Sequence, residues 1–265
     1  MLSLRNQGGY EMASYTIATE TALTDERLRQ IYNTVKAGII HFSYDELDTI
    51  FEIALNNRSL FPGINLAGAN NPEAYIERWV GEYRNAIINP PHSRVASPKS
   101  ACSDPAIRSI VMVTQGISET VALEKEQAHN LFMSAENVQG NLLEEYISVS
   151  TRPYGWIWCA GNTLRAIDFC SSDGAVLLQI KNKSNTENSS SSNIRQGTTI
   201  LKWYRLGTRT VRGQKVPTYK WDALNTIINN HRTLFHLPPC NMTEEHYIQF
   251  ISNLANLNRN LITAE

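Results

Sequence analysis

Apolar residues recur every three or four positions through the first third of the chain, which is the spacing of one helix face. Residues 24–57 predict two helices of this kind, and a third is predicted from Pro72, since proline suits the first turn of a helix. Residues 89–105 hold four of the ten prolines, which favours a loop. The pattern therefore predicts a mainly helical N-terminal region, residues 1–104.

The helical spacing resumes at residue 105 and then gives way to short apolar runs. Residues 105–133 predict helix, and a separate helix is predicted after it, starting at Ser134 or Asn137, either of which could cap it. Residues 154–158 then predict an aromatic strand. We expect residues 105–265 to form one α/β unit, with a mixed central sheet flanked by helices and further helices at the C-terminus.

A β-hairpin is predicted at the centre of this unit. Its strands are residues 164–169 and 175–181, and residues 170–174 between them read as an irregular turn. Asp168 interrupts the first apolar strand, whereas Gln179 and Lys181 interrupt the second. Alternate residues of a strand share a face, so Gln179 and Lys181 project together and the hairpin can bring Asp168 beside them.

Glu144 and Glu145 lie among the apolar residues of the helix that precedes the hairpin. Two solvated glutamates would be the simpler interpretation. The hairpin that follows favours a carboxylate aimed at the same cluster, because an unpaired carboxylate at a buried boundary is unfavourable. The sequence leaves open which of the two glutamates faces it.

These polar groups are typical of a magnesium site. Asp168, Gln179, Glu144 and the backbone carbonyl of Ile180 offer the hard oxygen ligands that Mg²⁺ prefers. Lys181 could hold or polarise a water that attacks phosphorus, and metal and lysine together would stabilise a phosphodiester transition state. Asp173, six residues before Gln179, is a rival carboxylate, and it is predicted to lie in the turn, away from the strand face.

Charge is unevenly distributed, although the whole chain carries a formal charge of only −1. No acidic residue stands between Glu187 and Asp222, whereas seven basic residues do, with aromatic residues among them. A solvated basic face is the simpler alternative. The position directly after the candidate metal site favours contact with a polyanion, so residues 184–221 are predicted to bind DNA.

The expected conformation of this segment changes along its length. A serine-rich stretch opens it, either as a disordered loop or as a loop facing phosphates and bases. A helix is predicted to follow and to reach Trp203 and Tyr204, and residues 205–217 predict a hairpin or extended ribbon. The candidate DNA-binding residues are Asn185, Asn188, Ser189, Ser190, Arg195, Lys202, Arg205, Arg209, Arg212 and Lys215.

Other classes of protein fit the sequence less well. It has no apolar run near the length of a membrane span, no basic-then-apolar start, and no P-loop, dinucleotide or G-x-S-x-G fingerprint. The four cysteines form no C-x-x-C pair. We expect reduced thiols, a cytoplasmic protein, no membrane partner and no small-molecule cofactor beyond the metal.

Asp168, followed after ten intervening residues by Gln-x-Lys and preceded by a glutamate-bearing helix, resembles the PD-(D/E)XK nuclease core in its Q-x-K form. Further motifs strengthen the likeness: G-N-L-L-E-E-Y-I, G-W-I-W-C-x-G-N, R-A-I-D-F and Q-I-K-N-K-S-N-T-E-N-S-S-S-S-x-I-R. Together they make residues 134–206 similar to type II restriction endonucleases, most closely to the SinI/AvaII-like group. The resemblance implies a Mg²⁺-dependent homodimer that cuts both strands of duplex DNA at a short palindrome of the form GGWCC.

Two other functions stay open on the sequence. One is a repair or recombination nuclease that recognises the structure of its DNA. The other is a non-enzymatic DNA-binding protein in which Asp168, Gln179 and Lys181 are polar core packing.

Overall fold

The computed structural model describes residues 14–39, 41–66, 68, 70–96, 103–183, 200–233 and 237–262. Over this part the helices are α1 (Asp25–Ala37), α2 (Asp45–Asn56), α3 (Pro72–Ile88), α4 (Pro105–Gln115), α5 (Glu119–Thr151), α6 (Trp221–Asn230) and α7 (Glu244–Leu257). The strands are β1 (Trp156–Trp158), β2 (Phe169–Ser171), β3 (Leu177–Lys183), β4 (Leu201–Val211) and β5 (Gln214–Tyr219).

The five strands form one mixed sheet in the order β1-β2-β3-β4-β5. Strands β3 and β4 pair in parallel, and every other neighbouring pair is antiparallel. Helices of both halves of the chain pack against this sheet. The predicted α/β class, with a mixed sheet flanked by helices and a mainly helical N-terminal region, is confirmed.

The three predicted N-terminal helices are confirmed, and two of them begin at side-chain caps. Thr24 accepts a hydrogen bond from the backbone N–H of Arg27 at the start of α1. Asn71 accepts one from Ala74 at the start of α3, where Pro72 occupies the first helical position.

The prediction of a separate helix from Ser134 or Asn137 was wrong, because α5 runs unbroken for 33 residues from Glu119. Ser118 is its cap and accepts a hydrogen bond from the backbone N–H of Val121. Ser134 lies inside the helix, where its hydroxyl donates to the carbonyl of Asn130 at 2.9 Å. A serine can bond one turn back in this way, so a capping residue type need not start a helix.

The predicted strand at residues 164–169 was also largely wrong, since β2 begins only at Phe169. Ala166 has a positive φ of 59°, which is incompatible with an extended strand and turns the chain just before the sheet. Two residues assigned to the turn, Cys170 and Ser171, belong to β2 instead.

The helix expected to reach Trp203 and Tyr204 is a strand, because both residues belong to β4. Their pairing with β3 is parallel and therefore joins segments that are distant in sequence. The hairpin predicted at residues 205–217 is confirmed. Arg212 and Gly213 form its turn, with φ values of 50° and 80°, as a two-residue turn of the I′ kind requires.

Two apolar cores lie on the two faces of the sheet formed by β1, β2 and β3. The first joins α1, α2 and α3 to Ile157, Leu164, Ile167 and Cys170. The second joins α5, α6 and α7 to the sheet, and includes Leu143, Ile147, Trp156, Leu178, Ile180, Trp203, Trp221 and Tyr247. The N-terminal helices therefore share a core with the residues around β1 and β2, whereas the boundary at residue 104 stays a prediction.

Direct contacts fasten the N-terminal helices to this part of the chain. The indole N–H of Trp79 donates to the carbonyl of Thr163 at 2.8 Å. Gly161 has a φ of 71°, and a Cβ at this position would lie 2.5 Å from the carbonyl oxygen of Glu82 on α3. Only glycine allows the two backbones to come this close. None of the described helices is long and apolar enough to cross a membrane.

Candidate active site

Asp168 lies directly before β2, and Gln179 lies on β3 directly after the last residue paired with β2. Phe169 pairs with Leu178 at this end of the antiparallel ladder. The backbone N–H of Asp168 donates to the carbonyl of Leu178 at 2.9 Å, which holds Asp168 against β3. Gln179 is only 4% exposed, whereas Lys181, two residues further on the same face, is exposed.

The carboxylate of Asp168 is anchored to the backbone of β3. Its Oδ2 accepts a hydrogen bond from the backbone N–H of Ile180 at 2.7 Å. The side chain thus satisfies a strand donor just where backbone pairing with β2 stops. This bond holds the half-buried carboxylate alongside β3.

The structure separates the two glutamates of α5. Glu144 accepts a hydrogen bond from the indole N–H of Trp158 on β1 at 3.2 Å. Burial, and next the negative charge of Asp168, raise the pKa of Glu144 to about 7, although Trp158 and Lys181 oppose the rise. The Glu144 carboxylate therefore shares its electrostatic environment with Asp168 and Lys181.

Glu145 is buried in different surroundings. Its carboxylate accepts a hydrogen bond from the backbone N–H of His92 at 3.0 Å and contacts the Nδ1 atom of the same histidine. His92 belongs to a short 3₁₀ turn after α3. Glu145 thus ties α5 to this turn, and Glu144 is the glutamate beside the strand cluster.

The donor groups of this cluster suit a hard divalent cation. Two carboxylates, of Asp168 and Glu144, repel each other strongly enough to contribute to the raised pKa of Glu144, and a cation between them would relieve that repulsion. Gln179 adds a neutral amide oxygen. In the described ranges no three acidic, histidine or cysteine side chains form a metal-binding group, so water and substrate oxygens would have to complete an octahedral shell.

The rival carboxylate, Asp173, lies in the turn between β2 and β3. Its Oδ1 accepts hydrogen bonds from the Ser171 hydroxyl at 2.5 Å and from the backbone N–H of Ala175 at 3.0 Å. These bonds lower the pKa of Asp173 and give the carboxylate a turn-forming role.

Two neighbours of the cluster were not predicted from the sequence. Trp158 orients Glu144, and its place two residues after the buried Trp156 on the same strand was the available signal. Tyr204 is the register partner of Lys181, and Lys202 is the partner of Gln179. Partners in a parallel pair share a face, so both side chains flank the cluster. Lys202 was already a DNA-binding candidate, but its closeness to Gln179 depends on a pairing that sequence spacing does not reveal.

Arg205 was predicted to bind DNA, but its side chain is buried in the protein. Its Nε donates to the Asn182 side chain at 2.9 Å, and its guanidinium pairs with Glu244 of α7. The same guanidinium lies 5.5 Å from the ring centre of Tyr219 and 5.1 Å from that of Tyr247. Arg205 therefore holds α7 against the sheet and is not available to DNA.

The remaining candidates divide into two groups. Arg209, Arg212 and Lys215 are exposed on the β4–β5 hairpin, with Arg212 in its turn. We call these three residues and the hairpin that carries them the basic ribbon. Asn185, Asn188, Ser189, Ser190 and Arg195 lie outside the described residues.

Comparison with known proteins places these features in a family. Residues 80–236 match the family model described as SinI restriction endonuclease. The matched stretch includes both glutamates of α5, the β2–β3 hairpin and the basic ribbon, and spans more than half of the chain. It confirms the resemblance that residues 134–206 predicted.

Two curated relatives share the similarity. The type II restriction enzyme Eco47I of Escherichia coli is 34% identical over 164 residues, which cover 60% of this chain and 65% of the relative. The type II restriction enzyme SinI of Salmonella infantis is 40% identical over 113 residues, which cover 41% of this chain and 49% of the relative. The chain thus matches less than two thirds of either relative's length.

Proposed function

The chain belongs to the SinI restriction endonuclease family, and from this premise we propose that it is a type II restriction endonuclease. It hydrolyses phosphodiester bonds of duplex DNA at a specific sequence. The observation that carries the proposal is the electrostatic contact of Glu144 with Asp168 and with Lys181, which lies two residues after Gln179 on β3. Two neighbouring carboxylates that are partly withdrawn from water are costly unless they have a use.

The residues that would hold Mg²⁺ are Asp168, Gln179, Glu144 and the backbone carbonyl of Ile180. The metal would supply Lewis-acid stabilisation of the charge that develops on the phosphate oxygens. The Ile180 N–H keeps the Asp168 carboxylate in place for this role, and the Trp158 indole does the same for Glu144. Neither carboxylate then has to be reoriented when substrate binds.

Lys181 acts on the attacking water. Its exposed ammonium stands at the solvent side of the cluster, whereas Gln179 forms the buried side. The ammonium donates a hydrogen bond that orients the water toward phosphorus, and its positive charge stabilises the extra negative charge of the transition state.

Gln179 gives this site one negative charge fewer than a second strand carboxylate would. A neutral amide binds a cation more weakly than a carboxylate does, so metal affinity is low before DNA arrives. A DNA phosphate brings the missing charge, and this makes Glu144 more important than it would be beside two strand carboxylates. The proposed enzyme therefore binds metal and substrate cooperatively.

DNA is held by the basic ribbon and by Lys202, which lies in register with Gln179. Asn185, Asn188, Ser189, Ser190 and Arg195 remain proposed contacts from the neighbouring segment. Arginine paired with guanine is the commonest specific contact, and phosphate contact is the default for each residue. The sequence likeness supports GGWCC as the target, and a homodimer as the form that cuts both strands.

The free thiols of Cys159, Cys170 and Cys240 support a place for the protein in the reducing cytoplasm. All three are buried among apolar side chains. They therefore act as small core residues.

Digestion of a sequenced plasmid tests the proposal. With Mg²⁺ we expect discrete bands whose mapped ends fall at GGWCC. Lys181→Ala should lower the cleavage rate by about 100-fold or more, because one positioned proton donor and charge is lost. Affinity for the same DNA in Ca²⁺ should change less than about threefold, since Lys181 is one of several cations facing the DNA.

Other outcomes of this digestion would contradict the proposal. Cutting only of branched or damaged DNA would indicate a repair or recombination nuclease. DNA binding without any metal-dependent cleavage would indicate a non-enzymatic binding protein.

A further inference from the structure

Lys183 is a cation on the strand face of the candidate active site that the proposed mechanism does not use. It is the last residue of β3 and lies two residues after Lys181, which itself lies two residues after Gln179. Alternate residues of a strand share a face, so these three side chains project to one side of the sheet. The Cα atoms of the two lysines are about 6.6 Å apart. Two ammonium groups at this spacing suit two successive phosphates of one DNA strand.

An ion pair with Glu136 of α5 occupies the ammonium of Lys183. The Nζ atom of Lys183 lies 2.6 Å from Oε1 of Glu136, and the two side chains are 47% and 57% exposed. An exposed ion pair of this kind contributes little to stability, because water screens it and two long side chains lose freedom. A competing anion could therefore displace the Glu136 carboxylate.

The same side of α5 carries a second carboxylate, that of Glu144. Residues four apart in a helix lie one above the other, so Glu136, Gly140 and Glu144 form a row along α5. At one end of this row Glu136 contacts Lys183, and at the other end Glu144 is in electrostatic contact with Lys181. Each of the two strand lysines thus has its own carboxylate from α5. Only Glu136 is exposed, whereas Glu144 is half-buried.

Gly140 leaves the middle of this row without a side chain. A Cβ added at this position would meet nothing within 4 Å, so packing within the described chain does not require a glycine here. The helix is fastened next to this open space, because the carbonyl of Gln139 accepts a hydrogen bond from the Tyr247 hydroxyl at 3.1 Å. Glycine is unfavourable inside a helix, and it is typical of places where a ligand comes close to the backbone.

We propose that Lys183 binds the DNA phosphate next to the scissile one, and that Glu136 competes with this phosphate for the lysine. The inference rests on the proposed function, which brings a DNA strand to Lys181. As the strand enters, its phosphate replaces the Glu136 carboxylate beside Lys183, and the carboxylate turns toward solvent. The open space at Gly140 leaves room for the strand between α5 and β3. Glu136 thereby weakens DNA binding by the strength of one ion pair.

The affinity of the full-length protein for a duplex that contains GGWCC tests this exchange. Fluorescence anisotropy in Ca²⁺ gives the Kd. Lys183→Gln should raise the Kd on the order of 10-fold, because one phosphate contact is lost. Glu136→Gln should instead lower the Kd by about 2–5-fold, because the lysine no longer has to be released from an exposed ion pair.

The double variant distinguishes competition for Lys183 from general repulsion of DNA by a glutamate. In the Lys183→Gln background, Glu136→Gln should change the Kd by less than about 1.5-fold, because no lysine remains for the carboxylate to withhold. Glu124→Gln is the matched control: it removes an exposed glutamate from the same helix, three turns earlier, and should leave the Kd unchanged.

Three results would overturn the inference. A Kd that both single variants raise would mean that the ion pair only fastens α5 to β3. A gain from Glu136→Gln that persists in the Lys183→Gln background would indicate general repulsion. A Kd unchanged by Lys183→Gln, or a wild type that does not bind the duplex, would leave the lysine without a phosphate.

The proposed function fails separately, in the plasmid digestion with Mg²⁺. If the two substitutions are coupled as expected but the wild type never cuts, the phosphate site stands and the nuclease assignment falls. If the wild type cuts at GGWCC but the substitutions are not coupled, the nuclease assignment stands and the role of Glu136 falls.

Discussion

Arg205 and Arg212 stand seven residues apart in the same basic segment, yet their surroundings give them different roles. Arg205 is enclosed by Glu244, Asn182 and two tyrosine rings, whereas Arg212 is exposed in a turn. A count of charges along the sequence treats them alike. Only the packing of α7, more than 30 residues later, distinguishes them, so this difference was beyond prediction from the sequence.

The pairing of the two segments that carry Asp168 and Gln179 could be predicted, because two short apolar runs separated by a turn are typical of a β-hairpin. The choice between Glu144 and Glu145 could not be predicted. Neighbouring residues of a helix point about 100° apart, and the rotation of α5 about its axis is set by contacts such as that of Glu145 with His92.

Glu144→Gln should stabilise the metal-free protein at neutral and alkaline pH. The pKa of Glu144 is raised to about 7 in the folded protein, mainly by burial, so the folded state holds a proton that the unfolded chain releases more easily. Stability is therefore lost as pH rises from about 4.5 through 7, and the loss persists above that range. Removing the charge should recover on the order of 1–3 kcal/mol at pH 8 and almost nothing at pH 4.

Urea unfolding at both pH values, in the presence of a chelator, measures this difference. Glu145→Gln is the control from the next position of α5. It should destabilise the protein instead, because the buried contact with His92 is weakened. An equal destabilisation by both substitutions at pH 8 would contradict the proposed environment of Glu144.

At the scale of elements, β4 shows where local sequence stops being informative. Residues 205–217 were predicted as a hairpin or an extended ribbon, and the hairpin turns at Arg212-Gly213, where both φ angles are positive. The start of β4 was mistaken for a helix, because its partner β3 lies across an intervening segment and pairs in parallel. In α5 the error was different: Ser134 was interpreted as the start of a helix, although it lies in the middle of one.

The basic ribbon should contribute salt-sensitive binding energy. Replacing Arg209, Arg212 and Lys215 together by glutamine should lower the slope of log affinity against log salt by about 2–3, since each phosphate contact contributes about 0.9. Stability should change by less than about 1 kcal/mol, because these three side chains are exposed.

Fluorescence anisotropy of labelled duplex DNA at several NaCl concentrations provides the slope. Arg78→Gln removes an exposed arginine of α3 that pairs with Glu82 and serves as the control, which should keep the wild-type slope. An unchanged slope in the triple variant would show that the ribbon does not contact the DNA backbone.

Over the whole molecule, the N-terminal helices and the sheet should unfold together. Gly161→Ala should cost about 2–4 kcal/mol, because the new Cβ would lie 2.5 Å from the Glu82 carbonyl in a backbone conformation that favours glycine. Gly140→Ala is the control inside α5, where nothing lies within 4 Å of the added Cβ. It should stabilise the protein by about 0.5–1 kcal/mol.

Thermal unfolding followed by far-ultraviolet and by tryptophan signals checks this expectation. We expect Gly161→Ala to shift both signals by the same amount, because Trp79 and Thr163 join the two parts through one hydrogen bond in the same region. A variant in which the helical signal alone is lost at lower temperature would indicate that the N-terminal helices unfold independently.

The uninterrupted course of α5 gives its length a meaning of its own. Each residue adds about 1.5 Å of rise and about 100° of rotation, so the length of the helix fixes the position of α4, before its start, relative to Glu144. An insertion of seven residues would move α4 about 10 Å further from Glu144 and keep nearly the same direction. An insertion of two residues would turn α4 to the opposite side of the helix axis. The length of α5 therefore sets both the distance and the direction of α4 from the cluster.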